Sequence, residues 1–303
     1  VKHSKRGAAV IALITVLGLF ALKLVVGWIT GSISIFAQMA DSFLDILSVA
    51  LTFIAIIMAT KPADSGHPFG HGKLENLSAV VQAVFILIAA GTLIYSAVQR
   101  IINGAVIEMT QAGMAVMALS AATSLALSRY LKGVARDTDS PALEAIMRNI
   151  SADVYSATGV LIGLTVIFVS DGRLAMVDPV LAILVSLVIL KSGFDVIKGS
   201  FGGLIDARLP ESEESRIKQI ILSHNTQLVG MHALRSRKSG SMRYVDLHLV
   251  MPGDASVEQA HEVCDHLETD LKNSLPNLNV TIHVEPCASD CANCAMACNK
   301  RSH

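Results

Sequence analysis

Several features that would mark a soluble enzyme or a nucleic-acid binder are missing from this chain. It has no tract of basic residues, and a net charge of −1 points to no polyanionic partner. It shows no nucleophile–base arrangement and no phosphate-binding loop, which leaves a metal-hydrolase reading almost without support. Cysteine is scarce, with five in 303 residues. Four of them, Cys287, Cys291, Cys294 and Cys298, crowd into the tail, and none falls in an apolar run or an external loop. That suits a reducing cytosol better than a disulfide framework. Lys2, Lys5 and Arg6 precede an apolar run with no small-residue cleavage site after it, so a cleavable signal peptide is not expected.

What the chain has in quantity is apolar sequence. A bilayer span needs about 20 mostly apolar residues. Six such runs follow one another, at about 8–30, 32–60, 74–101, 110–131, 142–170 and 176–200. Buried helices of a large soluble protein would leave no amphipathic helices to cover six runs of this kind. From about Arg208 the composition changes to that of an ordinary soluble domain. The expected division is a six-helix transmembrane domain over 1–207, a cytosolic domain over 208–286 and a Cys-rich tail over 287–303. Lys and Arg concentrate in the N-terminus, in the loop 61–73 and in the segment 129–148. Positive charge marks the cytoplasmic side, so both termini are expected in the cytoplasm of a protein of the cell inner (plasma) membrane.

Charged groups at bilayer depth are costly and default to function. The second run places Asp41 and Asp45 four apart, and the fifth places Asn149 and Asp153 four apart. Residues i and i+4 share a helix face, so each pair points one way. At 1.5 Å per residue, Asp45 lies roughly 20 Å below the outer end of its run, and Asp153 roughly 16 Å above the inner end of its own. Both depths fall near mid-membrane, where four oxygen donors can converge on one cation. The competing reading is interhelical pairing, for which Lys23 in the first run is the main basic candidate.

The loop before the third run reads Ala-Asp-Ser-Gly-His-Pro-Phe-Gly-His-Gly-Lys. Asp64, His67 and His71 offer a carboxylate and two imidazoles, and the glycines let the loop fold around an ion. Three ligands with an open fourth position suit Zn²⁺, while solvated histidines fit the same spacing equally well. The soluble part reads helix, strand, strand, helix, strand, with Lys-Ser-Gly-Ser as the hairpin turn and Ser256 as the cap of the second helix. This αββαβ order implies a small open sheet with helices on one face. It holds six of the ten histidines. His283 and Glu285 alternate onto one face of a strand, as do Asp246 and His248, while His232 sits on the first strand and His261 on the second helix. Together they raise the case for a cytosolic metal site. The tail cysteines fall on one helical stripe about 16 Å long, too long for four thiolates to surround one ion. Binding of ions in pairs, a differently folded tetrahedral site and a metal-free tail all remain open.

Taken together, Ala-Asp-Ser-Phe-Leu-Asp, the Asp64 to Lys73 loop, Asp153 and the histidine set resemble the cation diffusion facilitator family of metal–proton antiporters, over about residues 8–286. The resemblance implies a homodimer exporting divalent metal (Zn, Fe, Mn, Co or Cd) against protons across membrane lipid, with no organic cofactor. It implies a transport site at Asp41, Asp45, Asn149 and Asp153, and a loop site at Asp64, His67 and His71. It also implies a ferredoxin-like α+β tail domain whose dinuclear site uses His232, His248, His261, His283 and Glu285. Lys73 and Asp206 match positions of a charge interlock between protomers. Zinc-transporting members typically carry histidine where this chain has Asn149, so a harder, oxygen-rich site and broader selectivity are expected. A non-transporting metal sensor or assembly scaffold on the same fold is the alternative, and the three intramembrane aspartates favour transport over it.

Overall fold

The computed structural model describes residues 4–30, 33–103, 111–169, 176–224 and 228–287. Within these, the side chains at 30, 33–38, 40, 41, 111–113, 163–169 and 178 lie outside the description. The chain divides into two compact units, Val1–Gly202 and Gly203–His303.

The first unit is built of six long helices: α1 (Lys5–Thr30), α2 (Ile33–Ala59), α3 (Lys73–Asn103), α4 (Gln111–Thr138), α5 (Pro141–Val169) and α6 (Val177–Leu204). Each covers one of the apolar runs. Among the described residues, five of the six helices are long and apolar enough to cross a bilayer. Helix α5 carries Glu144, Arg148 and Asp153 in its first half, and the side chains of its apolar end, 163–169, lie outside the description. Five of the six expected spans are thus supported among the described residues. Helix α4 runs to Thr138, past the expected end near Leu131, and its last turns carry Lys132 and Arg136. Only Asp139 and Ser140 separate it from α5, so the two form a tight helical hairpin. Asp139 takes a left-handed φ of 50° at that corner. Ser140 and Pro141 then start α5, the serine Oγ accepting from the Leu143 N–H and the proline supplying a preset φ where no donor is needed.

Two sets of side chains hold the helices together. Ala8, Ala12 and Val16 of α1 bury against Val49 and Ile56 of α2, Leu131 and Val134 of α4, and Ile146 and Ile150 of α5. Small residues bring α3, α5 and α6 close. Ala79, Ala83 and Ala145 pack with Val196, and Ala90 and Ala152 pack with Ile86 and Ile189. Lipid offers no hydrophobic drive to pair helices, so close backbone approach through small residues takes its place. Gly193 marks the tightest point, where a Cβ would stand 2.8 Å from Leu87 Cδ2.

The second unit contains α7 (Glu211–Ser223), β1 (Gly230–Ser239), β2 (Met242–Met251), α8 (Val257–Ser274) and β3 (Leu278–Pro286). This is the αββαβ order read from the sequence. The sheet runs β1-β2-β3, with β1 and β2 antiparallel and β2 and β3 parallel. A two-residue turn closes the hairpin, and Gly240 supplies its left-handed φ of 59°. A full capping box begins α8, with Ser256 and Gln259 satisfying each other's backbone N–H. The alternation along β2 sends Val245, Leu247 and Leu249 to one face. There they meet Ile217 and Ile221 of α7 and Val263, Leu267 and Leu271 of α8. Tyr244, Asp246 and His248 take the other face.

Candidate metal centres

A cavity of about 280 Å³ lies among the helices of the first unit, and Lys23, Asp45, Asn149 and Asp153 all line it. Helix α2 brings Asp45 and helix α5 brings Asn149 and Asp153. The Asn149 amide donates from Nδ2 to Asp45 Oδ1 at 2.9 Å, and Asn149 is only 6% exposed. This bond joins the two helices and leaves the amide oxygen of Asn149 as a donor for a cation. Asp41 lies on α2 among the side chains outside the description. Lys23, the candidate basic partner, gives a hydrogen bond to a hydroxyl: its Nζ donates to Ser42 Oγ at 2.7 Å. The cavity thus gathers two carboxylates, an amide oxygen and serine hydroxyls, a hard donor set suited to divalent cations.

The loop between α2 and α3 folds around Asp64. Its Oδ1 accepts from the backbone N–H of Gly66 at 3.0 Å and of His67 at 2.7 Å, a turn that aspartate favours. Gly70, at φ 78°, supplies the left-handed bend that lets His71 return. His71 Nε2 comes within 3.6 Å of Asp64 Oδ2, and the His67 and His71 rings stand 4.3 Å apart between centroids. The backbone N–H of His67 is the main cause holding the Asp64 carboxyl below its ordinary value, partial burial opposing it. One ligand atom from each of the three residues lies within 4.8 Å of the others. His71 Nδ1 is buried with no hydrogen-bond partner.

In the second unit the strand register builds a row of imidazoles. His232 on β1 sits opposite His248 on β2, which sits opposite His283 on β3. Glu285, two residues beyond His283, shares its face. The Glu285 carboxylate accepts from His232 Nε2 at 3.0 Å and from His248 Nδ1 at 2.7 Å, with His283 Nε2 at 3.6 Å. The hydrogen bond from His232 is the largest cause keeping Glu285 ionised below its ordinary range. Burial works against it and His248 adds to it. His261 stands apart from the row. It is exposed on α8, 3.6 Å from Asp265, and it lines a groove of about 420 Å³ together with Cys264 and Glu285. Asp206 pairs with Arg237 of its own chain at 3.2 Å. Cys287 is half-buried just past β3, while Cys291, Cys294 and Cys298 lie outside the described residues.

Three features around these clusters carried no sequence signal. Ser48, Thr52 and Gln82 form a buried polar relay one turn beyond Asp45. Gln82 Nε2 donates to Ser48 Oγ at 3.0 Å, and Ser48 Oγ donates to the Asp45 carbonyl at 3.1 Å. Such side chains read as scattered polar residues until α2 meets α3. The second feature is the Lys23–Ser42 bond. The third is a bulge just after His232, where Ala233 adopts φ 51° and the register shifts before Arg235. Bulges of this kind re-aim the neighbouring side chain, and only a left-handed glycine or asparagine would have betrayed one in the sequence.

Residues 9–205 match the cation efflux transmembrane domain, and residues 209–287 match the cytoplasmic domain of cation efflux proteins. The chain is 31% identical over 279 residues to the cation-efflux pump FieF of Pectobacterium atrosepticum, covering 92% of each. It is 30% identical over 281 residues to an uncharacterised transporter of Synechocystis sp., covering 93% of this chain and 90% of that one. A solved chain of CzrB is 39% identical and covers 26% of this chain and 99% of its own length, with a TM-score of 0.25. A transmembrane domain and a cytoplasmic domain of one family thus follow each other in order over nearly the whole length, and the chain belongs to the cation efflux, or cation diffusion facilitator, family of membrane transporters.

Proposed function

We propose that this protein exports divalent transition-metal ions of the Zn, Fe, Mn and Co class from the cytoplasm in exchange for protons, by alternating access across the inner membrane. The observation that carries this reading is the cavity in which Asp45, Asn149 and Asp153 meet across α2 and α5. Asp41, four residues before Asp45 on the same helix face, is the fourth ligand. Metal and protons then compete for the same carboxylates, so a cation leaving outward is replaced by protons entering. With no imidazole in this set, the carboxylates carry the exchanged protons. Helix α5 serves as the sixth span despite its polar half, because that half faces the cavity rather than lipid.

The cytosolic clusters serve as metal sites outside the transport path. Asp64, His67 and His71 form one, and His232, His248, His283 and Glu285 form another. His261 joins the second within a homodimer, where the sheet face that carries the histidine row meets its counterpart. Metal bound there draws the two tail domains together and makes export respond to cytosolic metal.

The experiment is metal uptake into proteoliposomes with an imposed pH gradient, comparing the parent with Asp153→Ala. Flux of Zn²⁺, Fe²⁺, Mn²⁺ or Co²⁺ coupled to protons in the parent, and its loss in a dimer that stays folded, supports the reading. Full coupled flux in Asp153→Ala removes the proposed transport site. Metal binding by the parent with no flux at all assigns the protein to sensing or scaffolding instead.

A further inference from the structure

Among the described residues that line the intramembrane cavity, Lys23 is the sole lysine or arginine. It projects from α1 and is half-buried, and its ammonium donates to Ser42 Oγ at 2.7 Å. Ser42 is 4% exposed and sits three residues before Asp45 on α2. Side chains at i and i+3 are neighbours on a helix, with Cβ atoms about 5–6 Å apart. The ammonium is therefore held about one side-chain width from Asp45, in the same cavity as Asn149 and Asp153. A lysine in an apolar span is expensive, and its usual compensation is nearby negative charge. Here its hydrogen bond goes to a neutral hydroxyl, which keeps the charge beside the carboxylates without committing it to one of them.

We propose that Lys23 is a tethered counter-cation that sets the affinity of the transport site for divalent metal. The inference rests on the reading of Asp45, Asn149 and Asp153 as that site. With no metal bound, the ammonium offsets carboxylate charge in a low-dielectric cavity. When a divalent cation enters, the same positive charge opposes it across a short distance and keeps binding weak enough for release. Ser42 fixes how closely the ammonium approaches. Lys23 is in this sense a positioning and tuning residue, and it needs no contact with the metal. Removing a fixed positive charge about 6 Å from a divalent ion should tighten binding by about tenfold or more, even at a water-like effective dielectric of about 80.

The test uses the full-length protein in proteoliposomes, with Zn²⁺ and Mn²⁺ as separate probes. Lys23→Gln keeps a donor for Ser42 and removes only the charge. It is expected to lower KM by about tenfold and to lower kcat as release slows. Lys23→Arg keeps the charge and should leave KM near the parent value. A purely structural tether between α1 and α2 gives the opposite pattern, because Lys23→Gln would then leave KM unchanged or raise it. Either of those results overturns the proposal, as does an arginine variant that behaves like the glutamine one. Ser42→Ala provides an independent arm should Lys23→Gln fail to fold. It frees the ammonium to approach the carboxylates and should raise KM by about threefold, and an unchanged KM counts against the proposal. Failure of these variants leaves the metal site standing, whereas retained flux in Asp153→Ala removes the site itself.

Discussion

Asn149 shows how much a single side chain decides. Its Nδ2 is committed to Asp45, so in the proposed transport site a cation would meet its oxygen. Histidine in its place would present a borderline nitrogen, the donor that Zn²⁺ prefers over Mn²⁺ or Fe²⁺. The all-oxygen set weakens that discrimination, although Zn²⁺ still outranks both ions at most sites and is not expected to be excluded. Asn149→His is expected to raise the Zn²⁺ to Mn²⁺ ratio of transport efficiency by about tenfold, the effect of roughly one well-matched donor. Competition flux with each metal measures it. An unchanged ratio in the mutant, beside a parent that already prefers Zn²⁺, means that Asn149 does not set selectivity.

At the scale of an element, α3 carries the buried polar contacts that fix the bundle. Glu75, in its first turn, is 2% exposed and accepts from Lys5 Nζ at 2.7 Å and from Ser140 Oγ at 2.6 Å. The beginnings of α1, α3 and α5 are thus tied at one carboxylate, which also sits favourably at the N-terminal end of a helix. Further along, Asn76 Nδ2 reaches the Ser200 carbonyl of α6 at 3.2 Å, and Gln82 holds Ser48 of α2. Glu75→Ala takes the acceptor from a lysine that is itself mostly buried. Breaking such a pair by one partner costs about 3 kcal/mol or more, because a desolvated charge remains. A thermal melt of the detergent-solubilised protein should show a large drop for Glu75→Ala and a smaller one for Glu75→Gln, which keeps an oxygen for Ser140. The β-sheet makes the same point by register. His232, His248 and His283 form a row because the strands align at those residues, and a slip of one residue would send each imidazole to the opposite face.

For the whole molecule, pH is the variable that reaches both units. Glu285 has its carboxyl held below the ordinary value of 4.5 chiefly by His232. A depressed folded pKa means that the unfolded chain binds the proton first. The stability Glu285 contributes is therefore fully present above the ordinary glutamate range and is lost as pH falls through the lower, folded value. Asp64 follows the same sign from its ordinary value of 3.8. Metal-free parent protein should exceed Glu285→Gln in melting temperature by a nearly constant amount from neutrality down to about pH 5, and the gap should close below pH 4. A gap that closes already between pH 7 and pH 6 contradicts the assignment. Metal at the proposed cytosolic sites is expected to behave differently. Its ligands must be deprotonated, so acidification should release it while the carboxylates are still ionised.

Much of this architecture was legible in the chain. The apolar runs, the i to i+4 spacing of Asn149 and Asp153, and the αββαβ order are one-dimensional signals. Each reflects a local or periodic rule, such as span length, helix face or strand alternation. The cap at Ser256 and the Gly240 turn were readable for the same reason. What only the tertiary structure decided are contacts between residues distant in sequence. Asn149 donates to Asp45 across 104 residues, Glu75 joins Lys5 to Ser140, and Lys23 rests on Ser42. The sequence marked each of these side chains as polar and costly to bury. Which partner relieved that cost depended on helix packing, because a hydrogen bond is settled within an ångström and periodicity places a residue only on a face.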